Sequence, residues 1–140
     1  MTQLETAIAA DATAMMSFAD AAPPAEAGAV ATFVGIVRDH DHGRGVTELE
    51  YVGHDSAEQV LRETVDAVLV KHPDVLSARV AHRVGLLAIG DRAFYVEIAS
   101  AHRGAAFAAC EEIVEDVKRL LPIWKRQVFT DATEEWVNSP

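Results

Sequence analysis

RAFYVEIASAHRGAAFAACEEIVEDVKRLLPIWKRQVF, residues 92–129, is the stretch whose reading decides the fold. Its first part, RAFYVEIASA (92–101), is rich in aromatic and β-branched residues and predicts a strand. From His102 the pattern changes to a helical one. Phe107, Cys110, Ile113, Val114, Val117 and Leu121 fall on one stripe, which predicts a long amphipathic helix over 102–121. Pro122 cannot continue that helix, and WKRQVF (124–129) returns to a strand pattern. A turn (TDAT) and a second short strand, EEWV (134–137), follow.

The same alternation runs through the rest of the chain. AVATFVGIV (29–37) predicts a buried strand, RDHDHGRG (38–45) a polar loop, and VTELEYV (46–52) a half-buried strand of period two. Residues 55–71 set Val60, Leu61, Val65, Val68 and Leu69 at helical spacing. Asp55 or Ser56 is placed to cap this helix, and His72-Pro73 closes it. VLSARVAHRVG (75–85) predicts another strand, and LLAIGD a turn. Near the N-terminus, residues 11–18 favour a helix by propensity, residues 3–9 are ambiguous, and DAAPPAEAG (20–28) is a breaker. Strands interspersed with two main helices imply an α+β fold with a mixed or antiparallel sheet.

Bulk properties narrow the function. The 140 residues suit one domain, 1–140, and half of them are hydrophobic. No apolar run reaches the ~20 residues of a membrane helix. No basic region precedes an apolar run at the N-terminus, so a secretory leader is not expected and the cytoplasm is the simplest compartment. A formal charge of −10 disfavours nucleic acid and anionic membranes. The single cysteine, Cys110, allows no internal disulfide and no cysteine-based zinc site. Yet Lys118, Arg119, Lys125 and Arg126 cluster near the C-terminus, a hint of a local anion site.

Three constellations could carry chemistry. Ser100-Ala101-His102-Arg103-Gly104 lies where a strand meets a helix N-terminus, a natural place to bind phosphate or carboxylate; His102 and Arg103 could equally be first-turn surface residues. Lys118 and Lys125 flank Leu-Leu-Pro-Ile-Trp, and a turn at Pro122 could fold one toward the other. Two adjacent ammonium groups lower each other's proton affinity; a solvated helix end is the plainer reading. Asp39, His40, Asp41 and His42 resemble metal ligands only in composition, since consecutive loop residues rarely face one ion. Arg38, ending a buried strand, is the more interesting residue there. His82 reads as a satisfied sheet residue, Cys110 as core filler, and Trp124 and Trp136 as core or interface anchors. His54 and His72 sit at helix ends. No GxSxG, P-loop or Rossmann glycine pattern is present.

Taken in order, TFVGIVRDH (32–40), LEY (49–51), HRVG (82–85), SAHRGAAFAAC (100–110) and VKRLLPIWKRQ (117–127) followed by EEWV make the chain resemble the molybdopterin synthase catalytic subunit family over roughly residues 28–137. The resemblance implies an α/β hammerhead fold, a homodimer, and a heterotetramer with a small ubiquitin-like sulfur carrier. The carrier's C-terminal Gly-Gly thiocarboxylate would enter the pocket. There cyclic pyranopterin monophosphate would become molybdopterin by two sulfur transfers, with neither metal nor cofactor. By similarity Lys118 and Lys125 match the catalytic lysines. Lys118 would meet the thiocarboxylate, and Lys125 would stabilise charge at the pterin or act as acid or base. Arg38, His102 and Arg103 match residues that hold the substrate, and Ile36, Val37, Arg126 and Gln127 match pocket positions. Such a cationic pocket in an acidic protein suits a phosphorylated substrate and a carboxylate-like tail.

The resemblance also predicts a strand over residues 3–9. Three departures stand out. Gln127 takes a place where an acidic residue is expected, YVGHDSA (51–57) lacks an aromatic residue usual in that loop, and the sequence ends at Pro140 where some relatives carry a basic extension. Two other readings stay open: a non-catalytic anion-binding or carrier-docking module of the same fold, and a metal-dependent phosphohydrolase built on the DHDH loop.

Overall fold

The computed structural model describes residues 2–137; the C-terminal tail noted above lies outside them. The element order is β1 (Gln3–Ala9), α1 (Ala12–Ala19), β2 (Ala29–Ile36), β3 (His40–Asp41), β4 (Arg44–Gly53), α2 (Ala57–Val70), β5 (Val75–Arg83), β6 (Gly85–Leu87), β7 (Arg92–Ser100), α3 (Arg103–Leu120), β8 (Ile123–Phe129) and β9 (Glu134–Val137). Two sheets result. The first runs β1-β5-β7-β2, mixed because β1 lies parallel to β5 while the other pairs are antiparallel. The second is antiparallel, β3-β4-β8-β9, with β6 also on β4. The α+β class with mixed and antiparallel sheets therefore stands.

The first sheet is covered on both faces. α2 and α3 bury Leu61, Val65, Val68, Ile113 and Val117 against Ala78, Val80, Val96 and Ile98. On the opposite face α1 places Met15 against Ala9, Ala81 and Tyr95. A strand buried on both sides reads as a near-continuous apolar run, as β5 and β7 do. The larger core also takes in Leu49, Tyr51, Leu87 and Ile123 from the second sheet, so one apolar interior ties the sheets together.

Local signals account for most boundaries. The Asp11 side chain accepts from Ala14 N at 2.8 Å and starts α1. Ser56 is the N-cap of α2 by position, but its hydroxyl engages His54 Nδ1 and caps no helical N–H. Leu121, ahead of Pro122, is extended (φ −68°, ψ 124°), as the proline ring requires of its predecessor. The chain then reverses straight into β8.

Several expectations need correction. Residues 3–9, ambiguous by propensity, form β1 because parallel pairing to β5 overrides local preference. The loop over 38–45 contains a hairpin, in which β3 pairs β4 across His42 and Gly43. Both turn residues have positive φ (50° and 76°), the demand of a tight turn whose twist matches the strands. The LLAIGD turn holds the end of β6, drawn into pairing with β4. Phe107 is 65% exposed, off the buried stripe, and Trp136 is 55% exposed. Neither it nor the partly exposed Trp124 is a core anchor in this chain.

Ile113 is fully buried between α3 and the sheet. Ile113→Ala should lower unfolding free energy by about 2–5 kcal/mol, the usual range for such a cavity. Urea denaturation followed by circular dichroism measures it.

Candidate active site

The two sheets meet at a seam, and a cavity of about 340 Å3 opens there. Its walls come from six elements: Gly35 and Ile36 of β2 with Arg38 just beyond, Tyr51 of β4, His82 of β5, Ala93 and Phe94 of β7, Lys118 of α3 and Lys125 of β8. Register explains the convergence. Phe94 pairs with Gly35 on one side and His82 on the other, while Tyr51 sits directly opposite Lys125. Gly35 lets the two strands and the Phe33 ring pack closely there. A Cβ at this position would come 3.3 Å from Phe94 Cβ and 3.5 Å from the Phe33 ring.

Lys118 occupies the last turn of α3, and the reversal at Pro122 returns the chain so that Lys125 faces the same space. The structure thus brings Arg38 together with Lys118 and Lys125, which face each other across the turn at Pro122. A larger groove, lined by Asp55, Glu58, Glu63 and Asp66 with Arg62, is predominantly acidic and offers no such cationic convergence.

Asp41 balances this charge. Its carboxylate accepts from Gln127 Nε2 at 2.8 Å and lies 3.5 Å from the Arg38 guanidinium. The Gln127 amide, aided by Lys125, His42 and Arg38, holds the carboxyl below its usual range despite partial burial. Elsewhere in the DHDH segment, His40 Nδ1 contacts Asp39 at 2.8 Å and His42 is exposed. Among the described residues no group of three His, Cys, Asp or Glu is placed to hold a metal.

The other expected site residues lie apart. Val37 is a buried core residue beside the cavity. Gln127 is buried behind it on Asp41. Strand alternation turns Arg126 to the opposite face from Lys125. There it meets Glu134 at 2.7 Å, Glu50 at 3.0 Å and Glu48 at 3.2 Å, so its charge is spent on carboxylates. His102 and Arg103 are exposed at the N-terminus of α3, whose other end carries Lys118. Sixteen residues of helix separate His102 from Lys118, about 24 Å at 1.5 Å per residue. Within one chain these two ends cannot share a cavity.

Sequence reasoning did not single out Tyr51, His82, Phe94 or Asp41 as wall or rim residues. Tyr51 and Phe94 follow core periodicity and carry no separate signal. For His82 the available signal was a titratable side chain inside an apolar strand.

A family profile described as "MoaE protein" matches residues 5–120. The molybdopterin synthase catalytic subunit of Bacillus subtilis is 35% identical over 112 residues, covering 80% of this chain and 71% of that protein. The Vibrio cholerae protein of the same description is 41% identical over 115 residues, covering 81% and 75%. The crystal structure of molybdopterin synthase from Staphylococcus aureus superposes with a TM-score of 0.79 at 31% identity, covering 98% of each chain.

The Asp41 carboxylate has a folded-state proton affinity below that of the unfolded chain. Its contribution to stability is therefore present above the ordinary value of 3.8 and is lost as pH falls through the lower folded value. Asp41→Asn should be less stable than the parent at neutral pH by about 1.5–3 kcal/mol, the worth of a hydrogen bond to a charged group, with the gap closing in acid. Gln127→Glu should destabilise in the same pH range by setting two carboxylates together. Urea midpoints at pH 7 and in acid test both.

Proposed function

The chain belongs to the MoaE family, and on that premise we propose that it is the catalytic subunit of a molybdopterin synthase, a sulfurtransferase of molybdenum cofactor biosynthesis. The substrate is cyclic pyranopterin monophosphate, and the sulfur arrives as the C-terminal Gly-Gly thiocarboxylate of a small ubiquitin-like carrier subunit. One observation carries this reading: Arg38, Lys118 and Lys125 line a single cavity in a protein of formal charge −10. Such a cavity attracts a phosphorylated ligand and a carboxylate-like tail, and it stabilises the negative charge that builds as sulfur replaces oxygen.

In this reading Lys118, at the more exposed mouth, meets the thiocarboxylate and assists release of the carrier acyl group. Lys125, half-buried and paired across the strands with Tyr51, stabilises charge on the pterin or moves a proton there. Arg38, on the rim beside Asp41, holds the phosphate.

His102 and Arg103, about a helix length away, serve the same reaction only from a second copy. The working unit is accordingly a homodimer in which His102 and Arg103 of the partner subunit complete each cavity, with one carrier per catalytic subunit making a heterotetramer. The chain acts as one domain throughout. Ile36 contributes a half-exposed apolar wall, whereas Val37, Arg126 and Gln127 act by supporting the site's frame. Among the described residues no helix is long and apolar enough to cross a membrane, and we place the reaction in the cytoplasm.

Lys118→Ala and Lys125→Ala should each reduce molybdopterin formation by about 10²–10³-fold, the scale for losing one charge-stabilising group, while carrier binding persists. Near-normal turnover in both, assayed with thiocarboxylated carrier and cyclic pterin, would falsify the assignment. Mixing inactive Lys118→Ala chains with inactive His102→Ala chains tests the shared site. Random exchange in a two-fold dimer should restore roughly a quarter of the sites, and no recovery after verified exchange would place His102 outside the neighbouring cavity.

A further inference from the structure

The wall of the cationic cavity carries two polar groups that none of these roles uses. His82 is 1% exposed, held between Tyr51 (ring centroids 4.9 Å apart, edge-on) and Phe94 (5.4 Å). Its Nδ1 lies 2.7 Å from the Arg83 carbonyl oxygen. A carbonyl only accepts, so the proton of the neutral ring sits on Nδ1 and Nε2 presents a lone pair. Among the described residues no hydrogen bond reaches Nε2, and none reaches the Tyr51 hydroxyl. Neither atom is sealed in the interior, although both residues are buried. Both residues line the cavity.

We propose that Tyr51 and His82 form a neutral recognition edge in this cavity, His82 Nε2 accepting a hydrogen bond from an N–H of the bound heterocycle and Tyr51 Oη donating one to a neighbouring ring oxygen or nitrogen. This rests on the reading that the cavity takes a phosphorylated pterin, and it adds which part of the ligand goes where. An anion is drawn to Arg38, Lys118 and Lys125. It is repelled by a lone pair, so the phosphate and the His82 edge bind opposite ends of one molecule.

The pair stays neutral under working conditions. Burial pushes His82 down to about 4, with Lys118 adding to the effect, and pushes Tyr51 up to about 12. One group is then always an acceptor and the other always a donor. Both rings are already fixed by packing, and His82 also by the Arg83 carbonyl, so little side-chain freedom is lost when a ligand pairs with them. A phosphate ester without a matching ring leaves both groups unpaired, and discrimination follows.

The test separates the fold from the recognition. Tyr51→Phe removes only the hydroxyl. His82→Asn keeps an amide donor for the Arg83 carbonyl but has no atom at the Nε2 position, whereas His82→Gln restores an acceptor there. Binding to the intact dimer is measured by calorimetry with cyclic pyranopterin monophosphate and, separately, with inorganic phosphate. Tyr51→Phe and His82→Asn should each weaken pterin binding about tenfold, as losing one such bond predicts. Both should leave phosphate binding and thermal stability near the parent values, and His82→Gln should recover part of the loss. Parent protein that binds the pterin while both variants bind it equally well overturns this inference alone. Equal loss for pterin and phosphate does the same. A parent protein that does not bind the pterin overturns it together with the reading it rests on.

Discussion

Like charges gathered in a partly enclosed cavity repel one another, and the rest of this structure depends on how Arg38, Lys118 and Lys125 are held together regardless. Two unit charges ~8 Å apart interact by about 2 kcal/mol at an effective dielectric of about 20, so a triple cluster is sustained only by a rigid frame and a compensating carboxylate. The frame is the shared core of two sheets, which anchors the backbone of every contributing strand. The carboxylate is Asp41, fixed by the buried Gln127 amide within reach of both Arg38 and Lys125. An incoming anion relieves the remaining repulsion, so the site is electrostatically suited to bind one.

The same reasoning gives Gln127 a role different from that of an acid. A carboxylate at 127 would face the carboxylate of Asp41 in a largely buried setting. As an amide, Gln127 donates instead and keeps Asp41 ionised. The negative charge beside Lys125 comes from the β3–β4 hairpin rather than from β8. The hairpin is thus part of the site's support, and its two positive-φ turn residues, His42 and Gly43, let Asp41 reach it.

α3 acts as a spacer as well as a core element. Its buried stripe packs on the first sheet, while its ends carry opposite parts of the expected machinery, His102 and Arg103 at the start and Lys118 at the finish. Because the helix is rigid at this length, it keeps these groups apart within a chain. His82 and Tyr51 complete the contrast, being neutral and enclosed where Arg38 and Lys118 are long and exposed.

Much of the fold was legible in the residues themselves. The stripe Cys110, Ile113, Val114 and Val117, the stop at Pro122, and the apolar runs of β2, β5 and β7 are local patterns with local causes, and each formed the expected element. The order of motifs likewise pointed to Arg38, Lys118 and Lys125. What stayed illegible was whatever depends on a partner distant in sequence. β1 forms because β5 offers it an edge, β6 because β4 does, and Arg126 turns from the cavity because three glutamates on β4 and β9 meet it. His82 looked like a satisfied sheet residue, and one of its nitrogens is. Only the meeting of the two sheets leaves the other facing a cavity, because an open valence is a property of the space between strands and not of any strand alone.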